Sequence, residues 1–99
     1  AFIRSLMINL IRHGSIETTL ARAKEVRTLV EKLVTLSKED TVTRRRLVMS
    51  RLLNQDIEVG KLFGEYAPKY KEVNGGYLRI LKLHTRLSDG AEKAVIEFV

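Results

Sequence analysis

Residues 74–86 read NGGYLRILKLHTR, and residues 93–99 read KAVIEFV. These two runs decide the fold class. Asn74-Gly75-Gly76 is turn chemistry, and the run behind it, residues 77–84, has the composition of a β-strand. In the second run Ala94, Ile96 and Phe98 face one way, while Lys93, Val95, Glu97 and Val99 face the other. Leu87-Ser88-Asp89-Gly90-Ala91 reads as a turn, so the two strands can close as a hairpin. The first strand is odd. Arg79, Lys82, His84 and Arg86 stand among its apolar residues. Buried strands rarely hold so many cations, and solvent-facing strands alternate cleanly. Tyr77 and Arg79 share one face; Lys82, His84 and Arg86 share the other. The second face of this strand needs something to touch.

Upstream, the periodicity is mainly helical. Ile3, Leu6, Met7, Leu10 and Ile11 recur at helical spacing within residues 1–13, with Arg4, Ser5, Asn9 and Arg12 on the other side. Gly14 is a helix stop. Residues 15–19, SIETT, form a short strand, and Thr19 can cap a second helix. That helix, residues 20–38, carries one stripe of Val26, Leu29, Val30, Leu33 and Leu36, with Lys24, Arg27, Glu31 and Lys38 off it. Asp40 or Thr41 can cap a third helix, residues 42–53, with Val42, Met49, Leu52 and Leu53 on one side. A fourth helix spans residues 56–66, where Asp56 and Glu58 suit the positive end of the dipole. Pro68 restricts Ala67 and ends it. The expectation is one α+β domain over residues 1–99: about four helices packed against a small, three-stranded mixed sheet, with the C-terminal two strands forming a hairpin.

The totals narrow the function. There are 18 Lys and Arg against 12 Asp and Glu, for a net charge of +6, which favours an anionic partner but says nothing of fold. With no cysteine, disulfides, zinc fingers and thiol catalysis are excluded. No apolar stretch approaches the roughly 20 residues of a membrane span. The first residues do not end in a small-residue cleavage site, so no signal peptide is expected. The chain starts without Met, and the expectation is that a segment is missing upstream.

Catalysis has little to stand on. His13 and His84 are the only histidines, and neither sits in a motif. No serine lies in a nucleophile elbow, and no loop has calcium-binding spacing. Gly75-Gly76 lacks the Lys-Ser/Thr and following helix of a phosphate loop. Hence no enzyme, no cofactor, no metal and no small-molecule substrate are expected.

Cations carry the remaining signal. Arg44-Arg45-Arg46 fan about 100° apart around a helix, so they suit several phosphates rather than one patch. Arg44 shares a stripe with Leu47, Val48 and Arg51. The plainer reading is a charged face pairing weakly with Glu39 and Asp40. Arg22, Lys24 and Arg27 open the second helix without forming one tight patch. Lys69-Tyr70-Lys71 interleaves an aromatic with cations, as stacking on bases requires; Tyr77 and Arg79 come next. The plainer reading there is an edge strand that uses cations against aggregation. The candidate RNA-binding residues are therefore Arg4, Arg12, Arg22, Lys24, Arg27, Arg44, Arg45, Arg46, Arg51, Lys69, Tyr70, Lys71, Tyr77, Arg79, Lys82 and Arg86. Cations on several elements, with little base-reading equipment, favour shape and backbone recognition of folded RNA. The alternative is a basic protein-protein interaction module without a nucleic-acid partner, using an exposed apolar patch at Leu47 and Val48.

An ordered set of segments resembles one family. They are Leu10-Ile11-Arg12-His13 with Ser15-Ile16-Glu17-Thr18-Thr19, Ala23-Lys24-Glu25-Val26-Arg27, Leu33-Val34-Thr35-Leu36-Ser37-Lys38, and Arg44-Arg45-Arg46-Leu47. Lys61-Leu62-Phe63, Ala67-Pro68-Lys69-Tyr70, the run from Asn74 to Lys82, and Ile96-Glu97-Phe98-Val99 complete it. Over essentially its whole length the chain resembles the bacterial and organellar large-subunit ribosomal protein seventeen family. The resemblance implies a structural constituent of the large subunit that binds large-subunit rRNA near the polypeptide exit side. Neighbouring ribosomal proteins are its implied partners, and the resemblance implies no catalysis and no cofactor. The implied location is the ribosome, in a bacterial cytoplasm or in a mitochondrion or chloroplast. Departures are the missing basic segment ahead of the first helix, Ala21 where many members have Pro, and Leu78 where many have Thr.

Overall fold

A computed structural model of the chain describes residues 2–86, 88 and 90–99, with Arg86 described by its backbone alone. Helix α1 (Phe2–His13) buries Met7, Ile8, Leu10 and Ile11. Gly14 ends it at φ +85°, a left-handed backbone that glycine adopts freely, and its N–H returns to the Leu10 carbonyl at 2.7 Å. Strand β1 (Ser15–Thr19) runs directly into α2 (Leu20–Ser37), whose first turn is capped by the Thr19 hydroxyl accepting from the Arg22 N–H. Helix α2 is the central helix. It buries Ala23, Val26, Val30, Leu33 and Val34, and packs on α1, on α3 and on all three strands.

Thr41, rather than Asp40, caps α3 (Val42–Arg51), accepting from the Arg44 N–H. The inward face of α3 differs from the expected one. Val48 and Leu52 are fully buried, while Val42 and Leu53 are exposed. Leu53 and Asn54 leave the helix with positive φ, so Leu53 cannot extend the stripe. The fourth helical region begins with α4 (Asp56–Lys61), continues through a π-helical turn (Leu62–Tyr66), and ends in α5 (Ala67–Lys69). Pro68 therefore does not end the helix at Ala67. The Ala67 N–H reaches back five residues to Leu62. A turn wound that widely just ahead of the ring leaves room for a proline that an α-helical turn would crowd.

The sheet is entirely antiparallel, not mixed, with strand order β1-β3-β2. Strand β2 (Leu78–Arg86) and β3 (Glu92–Phe98) form the expected hairpin, and β1 pairs on the free edge of β3. Opposed residues share a face, so Ile16, Ile96 and Ile80 line up toward the helices. The register shifts between Lys82 and Arg86, an irregularity in the ladder at the outer end of β2. Of the expected turn at residues 87–91, Leu87 and Asp89 lie outside the described residues.

Four aromatic rings close the gap between the helical layer and the sheet. Tyr66 stacks on Phe98 at 3.9 Å between centroids, and Tyr70 lies 6.2 Å from Phe98 and 5.1 Å from Tyr77. Each tyrosine hydroxyl is satisfied as it is buried. Tyr66 donates to the Ile11 carbonyl at 3.0 Å, Tyr70 donates to the Val99 carbonyl at 2.6 Å, and Tyr77 pairs with the Thr35 hydroxyl at 3.1 Å.

Candidate nucleic-acid interface

The arginine triplet splits into three fates, set by helical geometry. Arg44 points back toward α2, donating to the Leu36 carbonyl at 3.2 Å and pairing with Glu39 at 3.1 Å. Arg45 grips Asp40 with both arms, at 2.5 and 2.8 Å, and lies 4.6 Å above the Phe63 ring. That bidentate bond holds the Asp40 carboxyl below its usual range and raises the guanidinium. Arg46 is exposed and has no hydrogen bond or ion pair among the described residues. The plainer reading of this cluster, pairing with Glu39 and Asp40, thus holds for two of its three members.

Other candidates are likewise tied inside the chain. Arg12 holds the buried Glu58 at 2.8 Å. Arg79 faces Glu97 directly across the hairpin at 2.7 Å. Arg22 lies 4.5 Å over the Phe2 ring, and Lys69 lies 5.3 Å over that of Tyr70.

The two aromatic candidates require correction. Tyr77 is 1% exposed and Tyr70 5% exposed. Their rings face one another and the core, so neither offers a face for a base to stack upon. The sequence shows an aromatic between lysines but not that the ring packs inward while the lysines stay out. Tyr77 stands immediately ahead of β2 and is buried, whereas Arg79 is exposed. Lys71 and Lys82 are exposed. The side chain of Arg86 lies outside the described residues.

What the structure gathers is different. Arg4 from α1, Arg27 from α2 and Arg51 from the end of α3 line two clefts that adjoin along α2. Lys32 lines both clefts with Arg51. Sequence reasoning missed it, although its helical spacing from Thr28 and Leu36 places all three on one side of α2. Lys24 is exposed nearer the start of the same helix. Lys38 was also missed. It donates to the Val73 carbonyl and lies 4.8 Å over Tyr77, clamping the loop ahead of β2.

Neither histidine belongs to such a cluster, and among the described residues no group of three His, Cys, Asp or Glu could hold a metal ion. Among those residues, too, no helix is long and apolar enough to cross a membrane. The expected apolar patch at Leu47 and Val48 is also corrected. Val48 is fully buried against the core, and only Leu47 is exposed.

Comparison with known proteins adds sequence relationships to this geometry. The family model described as Ribosomal protein L17 matches residues 2–99. A protein of Dictyoglomus turgidum named large ribosomal subunit protein bL17 is 57% identical over 99 residues, covering all of this chain and 84% of the relative. Proteins of the same name from Dictyoglomus thermophilum and Clostridium acetobutylicum are 54% and 48% identical, with 84% and 86% of the relatives covered.

Proposed function

The chain belongs to the ribosomal protein L17 family, and from that premise we propose that it binds folded large-subunit rRNA through its unpaired surface cations. It is a structural constituent of the large ribosomal subunit and not an enzyme. The proposal puts the contact on the polypeptide exit side with ribosomal proteins alongside, as the family resemblance implies. The relatives named above are bacterial, and the proposal accordingly places the protein on a bacterial ribosome.

One observation carries the RNA reading. The cations divide into a paired set and a solvent-facing set. Arg12, Arg44, Arg45, Arg79 and Lys93 each meet a carboxylate. Arg4, Lys24, Arg27, Lys32, Arg46, Arg51, Lys71 and Lys82 are exposed with no such partner among the described residues. A folded domain gains little from so many unpaired like charges, whereas a polyphosphate partner releases counterions at each one. With both tyrosines buried, recognition rests on backbone phosphate and shape.

A second, compatible contact is protein to protein. Val42 is 66% exposed and Ile57 81% exposed. These apolar side chains at the starts of α3 and α4 suit a protein neighbour better than a phosphate. The test of the main reading is affinity for large-subunit rRNA fragments measured against salt. Log affinity should fall linearly with log salt, with a slope that counts the phosphate contacts. A flat line, with affinity independent of salt, would overturn it.

A further inference from the structure

A cleft of about 920 Å³ lies between α2 and the glycine turn ahead of β2, and a second of about 250 Å³ lies between α1, α2 and the end of α3. Lys32, Leu36 and Arg51 line both, so the two clefts adjoin across these side chains and are taken together as one groove. Its cations are Arg4, Arg27, Lys32 and Arg51, drawn from three helices. Among the described residues its one acid, Glu31, accepts the Gly76 N–H at 3.1 Å and so is bound to the wall of the groove. Leu29 and Leu36, both half-buried, give it an apolar floor.

We infer that this groove seats a single phosphodiester strand, its phosphates against Arg4, Arg27, Lys32 and Arg51 and a ribose or base face against Leu29 and Leu36. The inference rests on the rRNA reading and adds to it the place and the form of the RNA. Charge alone would suit any polyanion. The apolar floor narrows the choice, because a base offers an apolar face only when it is out of its stack. The duplex in A-form presents phosphates and hydroxyls across a wide, shallow groove, with its bases stacked inside. An acidic peptide could meet the cations but brings no flat apolar face. The turn at Gly75 and Gly76 lines the larger cleft without crowding, since a Cβ at either position would meet nothing within 4 Å.

The experiment uses the full chain and three probes of matched charge: a short single-stranded oligoribonucleotide, an RNA hairpin with a fully paired stem, and a polyglutamate peptide. Lys32→Gln and Arg51→Gln remove one groove cation each. Lys93→Gln removes one cation from the sheet, where Glu17 already pairs it at 2.5 Å. For the single strand, each groove variant should make the log–log salt slope shallower by about 0.7, and Lys32→Arg should restore it. The Lys93→Gln slope should stay nearer wild type. Thermal melts of the variants separate lost binding from lost folding. If wild type binds large-subunit rRNA but the groove variants match Lys93→Gln, the groove assignment is overturned while the rRNA reading stands. If the hairpin or polyglutamate shows equal affinity and equal sensitivity to Lys32→Gln, the single-strand assignment is overturned. If wild type binds no RNA, both readings fail.

Discussion

Glu58 has its side chain 3% exposed, while that of its partner Arg12 is half in water. The carboxylate has given up its hydration and depends on one guanidinium. Replacing Arg12 with Met should therefore cost about 2–3 kcal/mol, because a buried charge is left alone. Replacing both residues with Met should recover most of that loss, since no charge remains to desolvate. Urea midpoints with unchanged slopes would report both numbers. A single variant as stable as wild type would show that Glu58 does not depend on this bond. Tyr66 gives a second test at this scale. Burial pushes its hydroxyl from 10.0 up to about 12, helped by the charge of Glu65. The neutral form is the one that donates to Ile11. Below pH 10 the folded and unfolded states both hold the proton. Between about 10 and 12 the unfolded chain releases it while the fold retains it, so stability falls as pH rises through that window. Tyr77 moves the other way: burial raises its hydroxyl, but its hydrogen bonds to Lys38 and Thr35 outweigh that and lower it. In an ultraviolet titration Tyr77 should therefore ionise before Tyr66. Tyr66→Phe should delete the step at about 12, and the stability gap between wild type and this variant should narrow across the window. A gap independent of pH would contradict the assignment.

At the scale of elements, the joints matter more than the helix interiors. Gly14 links α1 to β1 at φ +85°, and its carbonyl accepts the Phe98 N–H at 3.0 Å. A side chain there has space, since the nearest atom to an added Cβ is the Tyr66 hydroxyl at 3.9 Å. The cost of Gly14→Ala is then the left-handed backbone itself, about 1–2 kcal/mol. Thr41→Ala should cost about 1 kcal/mol through loss of the α3 cap. Thermal melts check both, and a Gly14→Ala protein as stable as wild type would mean the joint relaxes. These joints were legible in the sequence because their chemistry is local: a glycine, a threonine and the residues three or four away. The inward face of α3 was not. Its apolar residues allow more than one stripe, and only packing of Val48 and Leu52 against the core selects one. The helix through Pro68 was hidden for a related reason. Local rules stop a helix at proline, and the π-helical turn that accommodates it is held by Leu62, Phe63 and Tyr66 in the core. The antiparallel placement of β1 beside β3 likewise depends on long-range pairing that SIETT alone does not encode.

Across the whole molecule, the sequence exposed the cations but not their partners. Arg79 meets Glu97 because strand register sets them opposite, and Arg12 meets Glu58 because α4 docks on the end of α1. Arg4, Lys32 and Arg51 meet only through the packing of α1 and α3 on α2. On the proposed reading charge has two separable uses in this protein, and the two should come apart under mutation. Changing Arg79 and Glu97 together to Gln removes an exposed pair without altering net charge. Stability should shift by no more than about 1 kcal/mol, as for other surface pairs, and the salt slope for large-subunit rRNA should be unchanged. Changing Arg46 and Arg51 together to Gln removes two cations that make no hydrogen bond or ion pair among the described residues. Stability should stay within about 0.5 kcal/mol of wild type, while the salt slope becomes shallower by about two. Urea unfolding and the salt titration, run on the same four proteins with Arg51→Gln alone as the fourth, decide the matter. Equal changes of slope in the two double variants would mean that RNA binding follows Arg79 as much as the unpaired cations, and the division of labour among the charges would have to be abandoned.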